Sequence, residues 1–313
     1  MFMTVTLNPA VDQSLFTTGE LALNHIHTVK TETCSPGGKG VNVAKMLAAN
    51  GRPVTATGLL GEDRLAFYQD TLTPAGITCR FLTVSHPTRI NLMISDGKGH
   101  EMKFNHLGFP ALTFDEAALC TYAKSLANPG GVIIMSGSLP TQFPPDTYAI
   151  LIRLFRAAGC LTVLDTSGPA LSAALVAKPD VIKPNRHELE TVLGEVLESE
   201  KAMHVALRKL MKQHEIIIVS DGARGAWFTG QGQIWAASSP IVNCVDTTGA
   251  GDTLLGQFCA DYFPGRHLTP GIMARAVAAG AAAVEQRSTP VIAPTRITEL
   301  ASQVQIRKRE AKK

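Results

Sequence analysis

The sequence predicts an α/β fold in which a mostly parallel central sheet lies between two layers of helices, with a small antiparallel β lid beside it. Apolar strand-like runs alternate with helical patterns along most of the chain, and this alternation is typical of a parallel sheet covered on both faces. Two stretches, residues 11–34 and 77–107, interrupt the alternation with β-forming residues and turn signals. The length suits a single domain over residues 1–313.

The predicted elements follow one another as strand–helix units. The strands of the central sheet are Met3–Leu7, Val54–Leu60, Gly131–Met135, Leu161–Asp165, Val181–Lys183 and Ile216–Ser220. The helices are Val41–Asn50, Arg64–Thr71, Asp115–Leu126, Pro145–Ala158, Arg186–Leu193, Glu200–His214, Ala250–Tyr262, Gly271–Glu285 and Arg296–Arg307. The basic residues from Arg307 onward are expected to form a frayed helix end. Ligands of such sheets bind beyond the carboxyl ends of the strands, where we expect the site.

The second lid stretch predicts a hairpin, because an Asp-Gly turn signal at 96–97 separates two strand-like runs. By the two-residue period of strands, Arg89 and Asn91 share a face of the first strand, and Lys103 and Asn105 share a face of the second. A two-residue loop would put the polar pairs on opposite faces, whereas an odd loop would bring them together, and we expect the odd loop. The apolar residues of the other face would then be covered by the partner in a homodimer.

Composition and charge exclude several classes of protein. The chain is 45% hydrophobic and 18% charged, and its net charge of +3 is too small to indicate a nucleic-acid partner. No apolar run has the length of a membrane span, and the first residues lack the pattern of a signal peptide. The six cysteines are scattered, without a Cys-x-x-Cys pair, which favours a reduced, cytoplasmic protein.

The most informative motif is the segment 246–252, which reads DTTGAGD. Gly249 and Gly251, on either side of Ala250, let the backbone approach a ligand, and the apolar run behind them has a helical pattern. The backbone N–H groups at the start of that helix form an anion site. Asp252 beside this site can accept the proton of a nucleophile that attacks a phosphoryl group, although an acid that only stabilises the helix dipole is the alternative.

A cluster of glycines with one lysine precedes the first helix: Gly37, Gly38, Lys39 and Gly40. It is not a Walker A loop, because no Ser or Thr follows the Gly-Lys pair. The cluster lets a ligand lie against the backbone, with Asn42 in the first helical turn as donor and acceptor, but a flexible loop entering a helix explains it equally well. Asp12 can accept hydrogen bonds from two sugar hydroxyls, or be a solitary surface acid. Arg89 and Lys103 can bind a phosphate, or form a solvated strand face.

Two further segments each follow a predicted strand. In Lys183–Glu188, Asn185 can bond a nucleotide phosphate and Glu188 can be an outer ligand of magnesium, which keeps several waters; a helix cap with an acid in the first turn is the alternative. The second segment has glycine-permitted turns that suit a flat nucleotide close to the backbone, and it consists of Ser220, Asp221, Gly222, Ala223, Arg224 and Gly225.

Taken together, these residues resemble the PfkB (ribokinase-like) family of carbohydrate kinases over nearly the whole chain. The matching segments occur in the family's order and spacing, and they are Thr6–Asp12, Gly37–Asn42, Thr88–Asn91, Ser136–Pro140, Lys183–Glu188 and Asp246–Asp252. The resemblance implies a ribokinase-like three-layer α/β/α fold with a lid that closes over the sugar and often builds a dimer. It is closest to the branch that phosphorylates fructose 1-phosphate or tagatose 6-phosphate.

The resemblance also implies roles for the candidate residues. Asp252 would be the catalytic base, and the backbone of Gly249, Ala250 and Gly251 would form the anion hole with it. The sugar phosphate would contact Asp12, Gly38, Lys39, Asn42 and Arg89, and the polar lid face and glycine cluster add Gly37, Asn91 and Lys103. ATP would contact Lys183, Asn185, the residues Ser220 to Gly225, and Gly251, and Glu188 would organise Mg²⁺ through water.

We therefore expect ATP- and magnesium-dependent phosphorylation of a ketohexose phosphate, with fructose 1-phosphate as the first candidate. Tagatose 6-phosphate and fructose 6-phosphate are the alternative substrates. A non-catalytic sugar-binding regulator would need the pocket but not Asp252. A dinucleotide-dependent dehydrogenase is disfavoured, because Leu254 stands where the third glycine of its fingerprint belongs and the motif lies late in the chain.

Overall fold

The computed structural model describes residues 1–96, 98–110, 115–287 and 291–309. Gly97 of the predicted turn and the terminal Lys312 and Lys313 lie outside them. The described strands are β1 (Phe2–Thr6), β2 (Ala10–Thr17), β3 (Val29–Gly37), β4 (Val54–Gly61), β5 (Ile77–Val84), β6 (Arg89–Ser95), β7 (Glu101–Asn105), β8 (Val132–Ser136), β9 (Leu161–Asp165), β10 (Val181–Ile182), β11 (Ile216–Ser220), β12 (Ala226–Gly230), β13 (Gln233–Ala237) and β14 (Ile306–Lys308).

The described helices are α1 (Lys39–Ala49), α2 (Leu65–Leu72), α3 (Glu116–Leu126), α4 (Thr147–Ala157), α5 (Gly168–Leu175), α6 (Arg186–Leu193), α7 (Glu200–Leu210), α8 (Ala250–Tyr262), α9 (Pro270–Ala283) and α10 (Pro294–Ala301). Among the residues described, no helix is long and apolar enough to cross a membrane.

The central sheet confirms the predicted architecture. Within the described residues it has ten strands in the order β14-β13-β12-β11-β10-β9-β8-β1-β4-β5. The strands from β11 to β5 run parallel, whereas β12, β13 and β14 extend one end of the sheet antiparallel. The prediction for the chain end was wrong, because the last helix stops at Ala301 and Ile306–Lys308 pair with β13.

Two hydrophobic cores cover the two faces of this sheet, as a buried parallel sheet requires. On one face α3, α4, α5 and α7 contribute Leu119, Ile152, Leu171 and Leu207. On the other face α1, α8 and α9 contribute Val41, Leu47, Phe258 and Met273. Burial on both faces explains why the strands of this sheet read as apolar runs.

A four-stranded sheet in the order β3-β2-β6-β7 forms the lid. The β2–β3 and β6–β7 pairs are antiparallel, and β2 and β6 run parallel because the chain passes through the central sheet between them. The lid is smaller than predicted. Residues 77–84 form β5, which pairs with β4 at the edge of the central sheet, so the second lid segment begins at Arg89.

The register of the lid hairpin confirms the predicted faces. Asn91 lies opposite Asn105, and Met93 lies opposite Lys103, which places the polar side chains of both strands on one face. The connection runs from residue 96 to 100 and therefore has an odd length. This face is turned toward the carboxyl ends of the central strands, where its residues line a cavity.

Candidate active site

A cavity of about 480 Å³ lies between the lid and the carboxyl ends of the central strands. It brings together most of the predicted site residues, which are Asp12, Gly38, Lys39, Asn42, Arg89, Asn91, Lys103, Lys183, Asn185, Glu188, Ser220, Gly249, Gly251 and Asp252. The remaining predicted residues are absent from its lining: Gly37, Ala250, Asp221, Gly222, Ala223, Arg224 and Gly225. The predicted edge of the sheet is therefore where the candidate residues converge.

Asp252 is buried in the first turn of α8 and faces the cavity. Its Oδ2 atom accepts a hydrogen bond of 2.9 Å from Nδ2 of Asn42, the side chain predicted in the first turn of α1. Burial raises the pKa of Asp252 to about 6, with Lys39 opposing the shift and Asp165 adding to it. A carboxyl with such a pKa is suited to accept a proton near neutral pH.

The start of α8 has the geometry of an anion site. Gly249 is the N-cap residue with φ 76°, a left-handed conformation that favours glycine and turns the chain into the helix. The first N–H groups of a helix lack intrahelical acceptors, and Gly249, Gly251 and Asp252 line the cavity at this positive end of the helix dipole. The N–H of Ala250 donates instead to the carbonyl of Thr247, at 3.4 Å. Lys183 stands close by, since a Cβ atom on Gly251 would lie 3.3 Å from its Nζ.

Sequence reasoning missed Asp165, which ends β9 beneath the cavity and is fully buried. Its carboxylate lies 3.1 Å from Nζ of Lys183 and 3.6 Å from Nζ of Lys39, and it accepts a hydrogen bond from Ser136 Oγ. Burial alone would raise the pKa of Asp165, but the two ammonium groups outweigh it and lower this pKa. A polar residue at the carboxyl end of an apolar strand was the signal that could have revealed it.

The glycine cluster brings the start of α1 against the cavity, which Gly38, Lys39 and Asn42 line. A Cβ atom on Gly37 would lie 2.2 Å from Oδ2 of Asp12, so any larger residue there would displace this carboxylate from its position. Asp12 accepts a hydrogen bond of 2.8 Å from Nδ2 of Asn91, which joins the two lid segments. Burial raises the pKa of Asp12 despite this bond. Asp12 thus lines the cavity and is hydrogen-bonded, which disfavours the alternative of a solitary surface acid.

Arg89 lines the cavity and also ties the lid to the body. Its Nη2 donates to the carbonyl of Asn8, its Nε to the carbonyl of Pro9, and its Nη1 to the carbonyl of His106, at 3.0, 3.2 and 2.8 Å. These three bonds leave two of the five guanidinium N–H donors for a ligand. The protein's own backbone therefore holds the Arg89 side chain in place.

Lys103 reaches from β7 across the cavity to the loop before α8. Its Nζ lies 2.8 Å from Oδ1 of Asp246 and 3.3 Å from Oγ1 of Thr248. Asp246 and Thr248 line the cavity and belong to the DTTGAGD segment, but sequence reasoning singled out neither of them. The ammonium group of Lys103 is thus held by protein oxygens.

The segment Lys183–Glu188 shows both of its predicted features, the helix cap and a position at the cavity. Asn185 and Glu188 form a capping box at the start of α6, with bonds of 2.8 Å in each direction. Both residues also line the cavity. One carboxylate oxygen of Glu188 is used in the cap, and the other oxygen suits an outer contact to a hydrated magnesium ion. Among the described residues, no group of three or more His, Cys, Asp or Glu side chains is arranged so that it could hold a metal ion.

The segment 220–225 reaches the cavity only with its first residue. Ser220 lines the wall, whereas Asp221 is paired with Arg186 and Arg224 and lines a separate hollow. Burial of Asp221 would raise its pKa, but hydrogen bonds from both arginines outweigh this and lower it. The ion pairs fix the turn that follows β11.

Comparisons with known proteins show the family of this chain. A model of the pfkB family of carbohydrate kinases matches residues 5–296. The chain is 36% identical over 255 residues to 1-phosphofructokinase of Escherichia coli strain K12, with 81% of each chain covered, and 32% identical to that of Haemophilus influenzae, with 97% of each covered.

Solved structures show the same fold. Phosphofructokinase-2 from Escherichia coli, in complex with substrates and products, has a TM-score of 0.87 at 24% identity, with 96% of this chain and 98% of that one covered. Ribokinase from Arabidopsis thaliana, complexed with ribose and ATP, has a TM-score of 0.70 at 21% identity and the same coverage. The expected family and fold are confirmed, and the chain belongs to the pfkB family of carbohydrate kinases.

Proposed function

We propose that the chain is an ATP-dependent kinase that transfers the γ-phosphoryl group of ATP to O6 of fructose 1-phosphate. The observation that carries this proposal is Asp252, a buried carboxyl with a pKa of about 6 that faces the cavity at the start of α8. The choice of sugar is supported by the relatives named 1-phosphofructokinase, which are 32% and 36% identical to this chain.

In the proposed mechanism Asp252 accepts the proton of the attacking hydroxyl while that oxygen bonds to the γ-phosphorus and ADP leaves. The backbone N–H groups at the start of α8 stabilise the negative charge of the transferring group. Lys39 and Lys183 both pair with the buried carboxylate of Asp165, and both line the cavity. Each ammonium group can therefore neutralise charge on a phosphate. Closure of the lid excludes water, which would otherwise accept the phosphoryl group.

The residues at the start of α6 fit the binding of magnesium with ATP. Glu188 would hold the hydrated ion through water, and Asn185 would bond a phosphate of the nucleotide. When bound, the ion neutralises charge on the phosphates of ATP.

The phosphate that the sugar already carries would bind on the polar face of the lid. We assign Arg89 and Asn91 to the sugar phosphate, with Asp12 on the sugar hydroxyls, because all three line the same cavity. Tagatose 6-phosphate remains the alternative substrate, since a ketohexofuranose has a CH₂O group at each end and tagatose differs from fructose only at C4. The expected homodimer and cytoplasmic location stay predictions.

Steady-state kinetics at saturating ATP with fructose 1-phosphate, tagatose 6-phosphate and fructose 6-phosphate test the proposal. We expect the highest kcat/KM for fructose 1-phosphate, because a misplaced hydroxyl leaves a buried polar group unpaired. A tenfold preference for tagatose 6-phosphate, on the order of the loss of one such contact, would overturn the substrate but not the kinase. Binding of all three sugars without phosphoryl transfer would favour a non-catalytic regulator.

A further inference from the structure

The lid and the loop that precedes α8 are joined by a pair of opposite charges. Lys103 on β7 places its Nζ 2.8 Å from Oδ1 of Asp246 and 3.3 Å from Oγ1 of Thr248. The Asp246 side chain is only 3% exposed, and 43% of the Lys103 side chain is exposed. Without this ammonium group the buried carboxylate of Asp246 would carry an uncompensated charge. The contact with the lid therefore stabilises the loop that precedes α8.

Asp246 also holds Thr248, the residue just before the anion site at the start of α8. Its Oδ1 atom accepts hydrogen bonds from the backbone N–H of Thr248, at 3.0 Å, and from the hydroxyl of Thr248, at 2.7 Å. The next residue is Gly249, the left-handed N-cap of α8. A single carboxylate oxygen therefore contacts both the lid lysine and the residue before the cap. Burial would raise the pKa of Asp246, but Lys103 and Thr248 outweigh it and keep this carboxyl ionised.

A second crossing contact lies beside the first. Arg287, which follows α9, donates from Nη1 to Oγ of Ser95 at 2.7 Å, and its Nε lies 3.7 Å from Glu101. Glu101 in turn lies 3.7 Å from Nζ of Lys103. The charges of Asp246, Lys103, Glu101 and Arg287 thus alternate in sign across the gap between lid and body. Such an arrangement favours one seated position of the lid over others.

We propose that Lys103 is a positioning residue that couples seating of the lid to the shape of the anion site, by holding Asp246 and Thr248 in front of Gly249. The inference rests on the proposed kinase function of this cavity. In this proposal Lys103 binds the protein's own loop, and Arg89 binds the phosphate of the sugar. A lid that has not seated would leave the loop without its ammonium contact, so full stabilisation of the transferring phosphoryl group would require the closed, substrate-covered state.

This coupling can be tested with Lys103→Met, Asp246→Asn and their double variant, and Lys98→Met is the matched control. Lys98 is another lid lysine, but it is exposed at the lid tip and pairs with Glu20 outside the cavity. We expect Lys103→Met and Asp246→Asn each to lower kcat by on the order of tenfold to a hundredfold, with a smaller change in KM for the phosphosugar. The double variant should lose no more kcat than either single variant, because each single variant already breaks the contact between Lys103 and Asp246.

The result that would overturn the proposal is a direct phosphate role for Lys103. In that case Lys103→Met would mainly raise KM for the phosphosugar and reduce the preference for phosphorylated over free sugar, and its effect would add to that of Asp246→Asn. Lys103→Arg, which keeps the charge, should retain more activity than Lys103→Met if the ion pair is what matters.

Hydrogen exchange gives a readout that does not depend on turnover. Lys103→Met and Asp246→Asn should both speed amide exchange in residues 101–105 and 246–249, and Lys98→Met should not. Unchanged exchange in both segments would contradict the coupling. If the wild-type chain transfers no phosphoryl group but Lys103→Met and Asp246→Asn still speed exchange in both segments, the proposed function would be contradicted while the lid contact would stand.

Discussion

Burial and the ammonium group of Lys39 have opposite effects on the pKa of Asp252. Burial raises its pKa, the ammonium of Lys39 opposes the shift, and the hydrogen bond from Asn42 fixes the carboxylate in place. The DTTGAGD pattern was sufficient to predict that Asp252 lies in the first turn of a helix, and the catalytic role of this residue stays a prediction. It could not predict Asp165, because the partners of that carboxylate come from two distant segments that only the folded sheet brings together.

Asp252→Asn should fold, bind both substrates and lose on the order of 10²–10⁴ in kcat, the usual contribution of a general base. The amide keeps an oxygen that can accept the hydrogen bond from Asn42, so the site should keep its shape. Steady-state kinetics and binding titrations measure the two effects. Turnover within a few-fold of wild type would contradict the catalytic role and support the helix-dipole alternative.

The same substitution should not reduce stability at pH 7. The folded-state pKa of Asp252 is about 6, above its ordinary value of 3.8, so the folded state binds more protons between these pH values. Stability therefore falls as the pH rises through that window and stays lower above it. Asn removes this cost, and we expect an equal or higher Tm at pH 7. A clear fall in Tm would contradict the sign of the shift.

Activity should fall below about pH 6 because Asp252 then becomes protonated and cannot accept the substrate proton. The measurement is kcat/KM against pH, which reports groups of the free enzyme and free substrates. The substrate phosphates also titrate in this range, so the residual activity of Asp252→Asn is the control. A wild-type profile identical in shape to that of the variant would show that Asp252 does not set the acid limb.

At the level of elements, strands and helices with strong patterns were predicted well. The predicted bounds of β9, β11, α6 and α8 agree with the structure. The hairpin faces were also predicted, because a strand period of two residues and an odd connection leave one arrangement. The elements at the two edges of the central sheet were not predicted. β5 has the same β-forming residues as the lid strands, so the sequence did not distinguish it from them. β14 is a short strand, and its pairing with β13 depends on tertiary contact.

The contact between α1 and α8 can be tested through Gly256. A Cβ atom there would lie 2.6 Å from Cβ of Met46, so Gly256→Ala should push α8 from α1 and disturb the bond between Asn42 and Asp252. Overpacking lowers the free energy of unfolding by about 1–3 kcal/mol, whereas the better helix propensity of alanine raises it by roughly 1 kcal/mol. We expect a lower Tm and a lower kcat.

The matched control for this prediction is Gly271→Ala in α9. A Cβ atom on Gly271 would lie 3.8 Å from its nearest neighbour, Oγ1 of Thr269, which is an ordinary contact. This variant should be neutral or slightly stabilising, since alanine favours the helix. If both alanine variants had wild-type Tm and kcat, close approach of α1 and α8 would not be required.

At the scale of the whole molecule, the lid has two faces with different tasks. Its polar face covers the cavity, where it supplies Arg89, Asn91 and Lys103. Its other face carries Leu92, Ile94, Met102 and Phe104. The Phe104 side chain is about half exposed, at 51%, and the others are only partly covered. The sequence predicted this division, but it could not predict how much of the apolar face the chain itself covers.

We expect a homodimer in which each lid covers the apolar face of the other, because burial of apolar surface gains about 25 cal/mol per Å². Phe104→Asp should shift the wild-type dimer toward monomer in light scattering at micromolar concentration, while its helical content stays unchanged. Val205→Asp is the control, since Val205 is also exposed, at 59%, but lies on α7 away from the lid. A monomeric wild-type chain, or equal dissociation of both variants, would contradict a lid interface. Because the same lid lines the cavity, dissociation of Phe104→Asp should lower kcat/KM for the phosphosugar as well.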